Sequence, residues 1–256
     1  MMSSLIEVNH LSKSYQKAQG MFRHTRVLAL QDLSFELAAG QTLAVVGENG
    51  SGKSTLAKIL VGIEQPDSGE VLLAGKKHNC ANHQSNNHLI RYIFQDAARS
   101  LNPNQRIADI LHDVLRYSTV LNFEQREQKI SKTLKLLGLL NDHGKYYPHM
   151  FSGGQLQRVA LARALILDPK VLILDEALTA LDPSLRAQIV NLLLDLQQQT
   201  GLAYLLITNQ LRLVRHIADQ TLVLHQGQRL DYGPTQQVFA QPQHDYSRKL
   251  IKSIQF

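Results

Sequence analysis

The chain has 256 residues, 44% hydrophobic and 19% charged, and 27 Lys and Arg against 21 Asp and Glu leave a net charge of +6. That composition is globular, with enough apolar material for a buried core, and it excludes a disordered, collagenous or coiled-coil chain. The positive excess suits nucleotides, nucleic acid or an anionic membrane surface without choosing among them.

The single cysteine, Cys80, cannot close an intrachain disulfide and excludes a four-cysteine metal site. A reducing compartment is the expectation. The start, MMSSLIEVNHLSKSY, lacks a basic region followed by an apolar one, so no signal peptide is predicted. The longest apolar runs, 171–174 and 202–207, are too short to cross a bilayer. Any membrane role is therefore expected to come through a partner.

Short strands are predicted at residues 5–8, at 33–37, which alternates, and at 42–46, a continuous apolar run. Turns fall at Ala39-Gly40 and at Pro66-Asp67-Ser68-Gly69, and residues 71–73 read as another strand. The polar stretch 76–88, KKHNCANHQSNNH, has no periodicity and reads as an exposed loop. Its His78, Cys80, His83 and His88 match no standard zinc spacing.

From about 107 to 140 the pattern turns helical: Ile110, Leu111, Val114 and Leu115 share one face, as do Ile130, Leu134, Leu137 and Leu140. Another helix is expected at 156–167, stopped by Asp168-Pro169. The run VLIL at 171–174 fits a central parallel strand. A helix near 183–199 and a strand at 203–207 complete a strand–helix–strand unit. The alternation argues for an α/β sheet, with the helical block at about 97–165 inserted into it.

Residues 47–54, Gly47-Glu48-Asn49-Gly50-Ser51-Gly52-Lys53-Ser54, match G-x-x-x-x-G-K-[ST] at every fixed position, between a predicted strand and a helix that Thr55 continues. Glycines let backbone N–H groups turn inward around phosphate oxygens, and the helix adds its positive end. Lys53 is expected to bridge the β- and γ-phosphates and Ser54 to ligate Mg²⁺. The motif means a nucleoside triphosphate; it does not separate ATPase, GTPase, kinase or motor.

Asp175 and Glu176 end the run VLIL, where the C-terminal strand ends of a parallel sheet line a ligand crevice. Adjacent carboxylates there are costly unless they meet cations. Asp175 suits Mg²⁺, directly or through water, and Glu176 suits polarising an attacking water. The plainer alternative is an acidic cap on a following helix. A second glycine turn, Phe151-Ser152-Gly153-Gly154-Gln155, opens another helix and is either an anion site or an ordinary N-cap on Ser152.

Taken in order, SKSY (12–15), GENGSGKS (47–54), IFQD (93–96), FSGGQ (151–155), VLILDE (171–176) and TALD (179–182) resemble the ATP-binding subunits of ABC transporters across nearly the whole chain. The resemblance implies a P-loop ATPase core of parallel sheet flanked by helices, with an N-terminal antiparallel β subdomain and an inserted helical subdomain. It implies an ATP-binding domain at 5–234 and a short extension at 235–256. It also implies ATP and Mg as ligands, and a head-to-tail pair of ATPases. Ser152, Gly153, Gly154 and Gln155 would then face the γ-phosphate held by the partner, and Gln95 would touch Mg²⁺ or the lytic water. Tyr15 would stack on adenine, or is simply a half-exposed strand aromatic.

Within that family, Ser100-Leu101-Asn102-Pro103 and the tail PQHDYSRKLI (242–251) resemble the dipeptide and oligopeptide importer ATPases. GENGSGKSTLAK, YYPHM and DEAL resemble the Sap-type peptide-transport branch, associated with antimicrobial peptides in Gram-negative bacteria. The partners implied are a second, non-identical ATPase, two transmembrane permeases and, indirectly, a periplasmic peptide-binding protein, at the cytoplasmic face of the inner membrane. No nucleic-acid partner is implied.

One position departs from the family. The switch histidine of I-[ST]-H-D falls on Asn209 within Ile207-Thr208-Asn209-Gln210. Asparagine cannot carry positive charge or pass a proton as imidazole can. The expectation is slow hydrolysis at this chain's own phosphate loop. Ala177 replaces the usual proline, a milder change. A non-hydrolysing regulatory subunit and a soluble ABC ATPase of repair or translation are the competing classes.

Overall fold

The computed structural model describes residues 4–18, 24–78, 89–94, 100–179 and 181–253. Two long strands, β1 (Ser4–Ala18) and β2 (His24–Ala38), pair antiparallel and are joined by β4 (Ser68–Leu73) and β5 (Lys76–Lys77) in a four-stranded sheet of order β2-β1-β4-β5. A register shift lies between Val8 and Leu11, beside His10 at φ 51°. An extra residue reverses side-chain parity. Ile6 and Val8 before it, and Leu11 after it, thus all reach the core.

The second sheet has the order β10-β9-β3-β8-β7-β6. Its strands are β3 (Thr42–Val46), β6 (Ile90–Ile93), β7 (Val171–Asp175), β8 (Ala203–Ile207), β9 (Gln220–His225) and β10 (Gln228–Pro234). Five of these run parallel and β10 is an antiparallel edge. Both faces of the parallel strands are covered, which is why they read as continuous apolar runs. Ala44, Val46, Leu172, Leu174, Tyr204 and Leu206 face one core. Leu43, Val45, Val171, Ile173, Ala203, Leu205 and Ile207 face the other.

The second of these cores also holds Leu56, Ala57, Ile59 and Leu60 of α1 (Lys53–Leu60) and the inner face of the antiparallel sheet. The first is filled by α2 (Ile107–Ser118), α3 (Phe123–Leu136), α4 (Gly153–Leu165), α5 (Pro183–Thr200) and α6 (Leu211–Ile217). Helices α2 to α4 enter the chain between β6 and β7, which are hydrogen-bonded neighbours. Two short helices, α7 (Thr235–Ala240) and α8 (Asp245–Lys252), follow β10.

Several predicted elements change in detail. The strand at 33–37 begins at His24, and the stretch 107–140 is two helices. The break comes at Asn122, whose side chain accepts from Gln125 N–H while Gln125 accepts from Asn122 N–H, both at 2.9 Å. That reciprocal cap starts a new helix. Lys76 and Lys77, expected in a loop, pair with Leu73 and Leu72. Cys80, His83 and His88 lie outside the described residues, as does Gln95. Among the described residues no helix is long and apolar enough to cross a membrane.

Candidate nucleotide-binding site

The parallel strands all end at one edge of the sheet, where the phosphate loop, Asp175, Glu176 and Asn209 follow β3, β7 and β8. Residues 47–52 turn from β3 into α1, whose N-cap, Gly52, is left-handed at φ 110°. A Cβ on Gly52 would stand 2.2 Å from the carbonyl oxygen of Ala29, and one on Gly47 would stand 2.0 Å from that of Leu224. Backbone from β2 and β9 therefore walls the loop so closely that only glycine fits.

Inside the turn, Lys53 is 6% exposed and its ammonium donates to the carbonyls of Gly47 (2.7 Å) and Glu48 (2.8 Å). Burial lowers its pKa, and the charges of Glu176, Asp175 and Glu48 oppose that shift. The acidic pair is thus electrostatically close to the lysine. The Ser51 hydroxyl is buried with no hydrogen-bond partner among the described atoms. Ser54 is exposed at the first turn of α1, and Glu48, Asn49 and Gly50 lie open on the outer side of the loop.

Asp175 ends β7, two strands from β3, and sits opposite Ile207 of β8. It accepts a 2.5 Å bond from the Tyr92 hydroxyl of β6. Glu176 follows in a left-handed conformation at φ 50°, which costs a non-glycine residue about 1–2 kcal/mol. Three bonds hold it: its N–H donates to Ile207, and its carbonyl accepts from Thr179 N–H and hydroxyl. The Glu176 alternative of a simple helix cap has no counterpart here, because α5 begins only at Pro183, capped by Asp182. Asn209 is exposed two residues beyond Ile207. Val45 pairs with Ile207, so the register sets Asn209 beside the start of the phosphate loop.

Tyr15 is 38% exposed on β1. Its hydroxyl reaches Glu64 and lies 3.5 Å from that of Thr55 in α1. Burial, then the Glu64 bond, raises its pKa. The side chain thus reaches the first turn of α1. At the second glycine turn, Ser152 caps α4: it accepts from Gln155 N–H at 3.3 Å, and Gln155 accepts from Ser152 N–H at 3.1 Å. Ser152 and Gly153 are exposed, leaving a capped helix end open to solvent. A Cβ on Gly154 would meet Leu185 at 2.7 Å.

Three contributors escaped sequence reasoning. Tyr92 braces Asp175 as above. Arg186 of α5 donates to the carbonyls of Leu178, Thr179 and Leu181, pinning the segment after the acidic pair. Tyr246 of α8 accepts from the backbone of Glu48. Each acts across a long stretch of chain or on backbone atoms, so no local pattern shows what it touches.

A glycine loop between strand and helix, a buried lysine and a carboxylate pair at the end of the next strand but one define a P-loop nucleoside triphosphatase. The family model described as ABC transporter matches residues 30–179. The chain is 49% identical over 251 residues to the "Peptide transport system ATP-binding protein SapF" of Salmonella typhimurium, covering 98% of this chain and 94% of that protein. The SapF of Escherichia coli K12 is equally similar and is named a putrescine export system ATP-binding protein. A solved structure of CbiO1 from Clostridium perfringens, part of the ABC transporter complex CbiONQ, superposes with a TM-score of 0.77 at 28% identity, over 93% of this chain and 92% of that one. The chain belongs to the ABC transporter family, and it is an ATP-binding cassette that hydrolyses ATP.

Proposed function

We propose that this protein is the energy-coupling ATPase subunit of a peptide-type ABC transporter of the Sap kind. The burial of Lys53 against the loop carbonyls, within the field of Asp175 and Glu176, carries the ATPase part of the reading. The ammonium leaves two weak neutral acceptors for the phosphates of ATP, while the loop N–H groups cradle the same oxygens. Ser54 and Asp175 offer the hard oxygen donors that magnesium prefers, and Gln95 joins them in this reading. Magnesium, when bound, neutralises phosphate charge and polarises the γ-phosphoryl group. Glu176 orients the attacking water and Tyr15 stacks on adenine.

One phosphate loop and one FSGGQ turn per chain call for a second ATPase to complete each site. The open, capped end of α4 supports presenting Ser152, Gly153, Gly154 and Gln155 to a partner's γ-phosphate. Two permeases and, through them, a periplasmic peptide-binding protein complete the system, placing this chain on the cytoplasmic face of the inner membrane. The ATP-binding domain spans 5–234 and the extension 235–256. The peptide cargo follows from the relatives' names; the Escherichia coli name keeps putrescine as the second reading.

Asn209 in place of histidine lowers hydrolysis at this chain's own loop, with a non-identical partner ATPase doing most of the turnover. Losing one well-placed transition-state donor costs about 10²–10³ in rate. Single-turnover hydrolysis in the assembled transporter tests this with Glu176→Gln here and the matching change in the partner. The expected result is a small loss from the first and a large one from the second. Equal losses overturn the asymmetry, and failure of the complex to co-purify with permeases overturns the transport role.

A further inference from the structure

Helix α8 reaches back to the phosphate loop. The Tyr246 hydroxyl oxygen accepts the backbone N–H of Glu48 at 3.0 Å, across 198 positions of sequence. The Tyr246 ring lies against the imidazole of His225, with centroids 4.0 Å apart. His225 directly follows Leu224, whose carbonyl oxygen abuts Gly47. Ring and hydroxyl therefore grip two sides of the same corner.

The helix itself is tied down at its start. Asp231 of β10, 6% exposed, accepts from the N–H groups of Gln243 (3.0 Å) and His244 (3.4 Å), and Ser247 is fully buried one turn on. Leu250 and Ile251 pack on the main core. Tyr246 is thus delivered to the loop by an anchored element.

A peptide unit is a rigid plane. The plane that donates its Glu48 N–H to Tyr246 is the one whose Gly47 carbonyl accepts the Lys53 ammonium at 2.7 Å. Fixing one end fixes the other. We propose that Tyr246 is a positioning residue for Lys53, acting through the Gly47–Glu48 peptide, so that docking of α8 sets the affinity of the phosphate loop for ATP. Without the hydroxyl the plane is free to tilt, and the lysine loses its defined seat between loop and phosphates.

The inference rests on ATP binding at the phosphate loop, and equilibrium binding of ATP to the full chain tests both. Tyr246→Phe keeps the ring on His225 and removes only the acceptor. Losing one modest hydrogen bond predicts a dissociation constant about three- to tenfold higher, with at most a small drop in melting temperature. In the assembled transporter KM for ATP rises and kcat holds. Tyr246→Ala, which also loses the ring, weakens binding further. A merely structural tyrosine predicts the reverse: wild-type binding for Tyr246→Phe and only a lower melting temperature for Tyr246→Ala. Wild-type affinity in Tyr246→Phe, beside lost binding in Lys53→Ala, overturns the proposal. If Lys53→Ala also binds normally, the phosphate-loop reading fails first.

Discussion

The hydroxyl of Tyr92, on β6, donates a 2.5 Å hydrogen bond to the carboxylate of Asp175 at the end of β7. Burial first, and then the bond to Asp175, pushes the Tyr92 pKa far above its ordinary value. The phenol therefore stays a donor at every working pH. It holds one lone pair of the carboxylate assigned to magnesium and fixes the direction of the rest. Tyr92→Phe keeps the ring, which packs edge-on against Phe94 at 4.3 Å. The expected result is an increase of about tenfold in the magnesium concentration that half-saturates ATPase activity, as for other braces of metal ligands. A magnesium titration checks it; an unchanged midpoint means that the bond does not orient Asp175.

The wall around the phosphate loop makes a second prediction. Gly47→Ala drives a methyl group to 2.0 Å from the Leu224 carbonyl oxygen, backbone that cannot swing aside. The loop must move off β9, carrying the Gly47 and Glu48 carbonyls away from Lys53. ATP binding should be lost while the two cores, which this position does not enter, stay folded. Calorimetric titration with ATP beside far-UV circular dichroism separates these outcomes. Retained binding would show that the wall is softer than the distances imply.

Asp231 supplies a pH test. Burial raises its pKa, yet the nearby Ser247 hydroxyl, which makes no well-formed hydrogen bond among the described residues, and the bonds from the Gln243 and His244 N–H groups outweigh it and hold the carboxyl below its ordinary range. A depressed folded-state value adds stability above the unfolded-state pKa, and that stability is lost as pH falls through the folded value. Asp231→Asn should therefore cost about 1–3 kcal/mol near neutrality, from two bonds to a charged acceptor. The gap between wild type and variant should begin to narrow below about pH 4, where the unfolded-state carboxyl protonates, and close only below the lower folded-state value. Urea unfolding at pH 7 and pH 3 reads the difference. A gap that stays constant would assign the loss to packing instead of charge.

Much of this was legible because function concentrates in local runs. Val171–Asp175 announces a strand buried on both faces, and the loop ahead of Lys53 announces its own chemistry. β6 has no clear signal in the sequence because its four residues include Arg91 and Tyr92, which interrupt the apolar run. β10 was missed because an edge strand keeps polar Gln228, Arg229 and Asp231. β9 joins it through Gln226-Gly227, a turn whose first residue takes φ 48° without being glycine. Of the site, what sequence could not supply is whatever crosses between elements: Tyr92 to Asp175, Arg186 to the carbonyls after Glu176, and Tyr246 to Glu48. Those bonds span from 5 to 198 positions, and the longer ones have no local signature.

The left-handed backbone at Glu176 has a consequence for how this protein ages in evolution. Glycine would sit there without the strain, so backbone stability alone favours giving up the carboxylate that the proposed mechanism needs. Keeping the carboxylate means tolerating a permanent local discomfort, offset among the described residues by the bonds to Ile207 and Thr179. A lineage whose partner subunit had taken over the chemistry would be free to let that tension go.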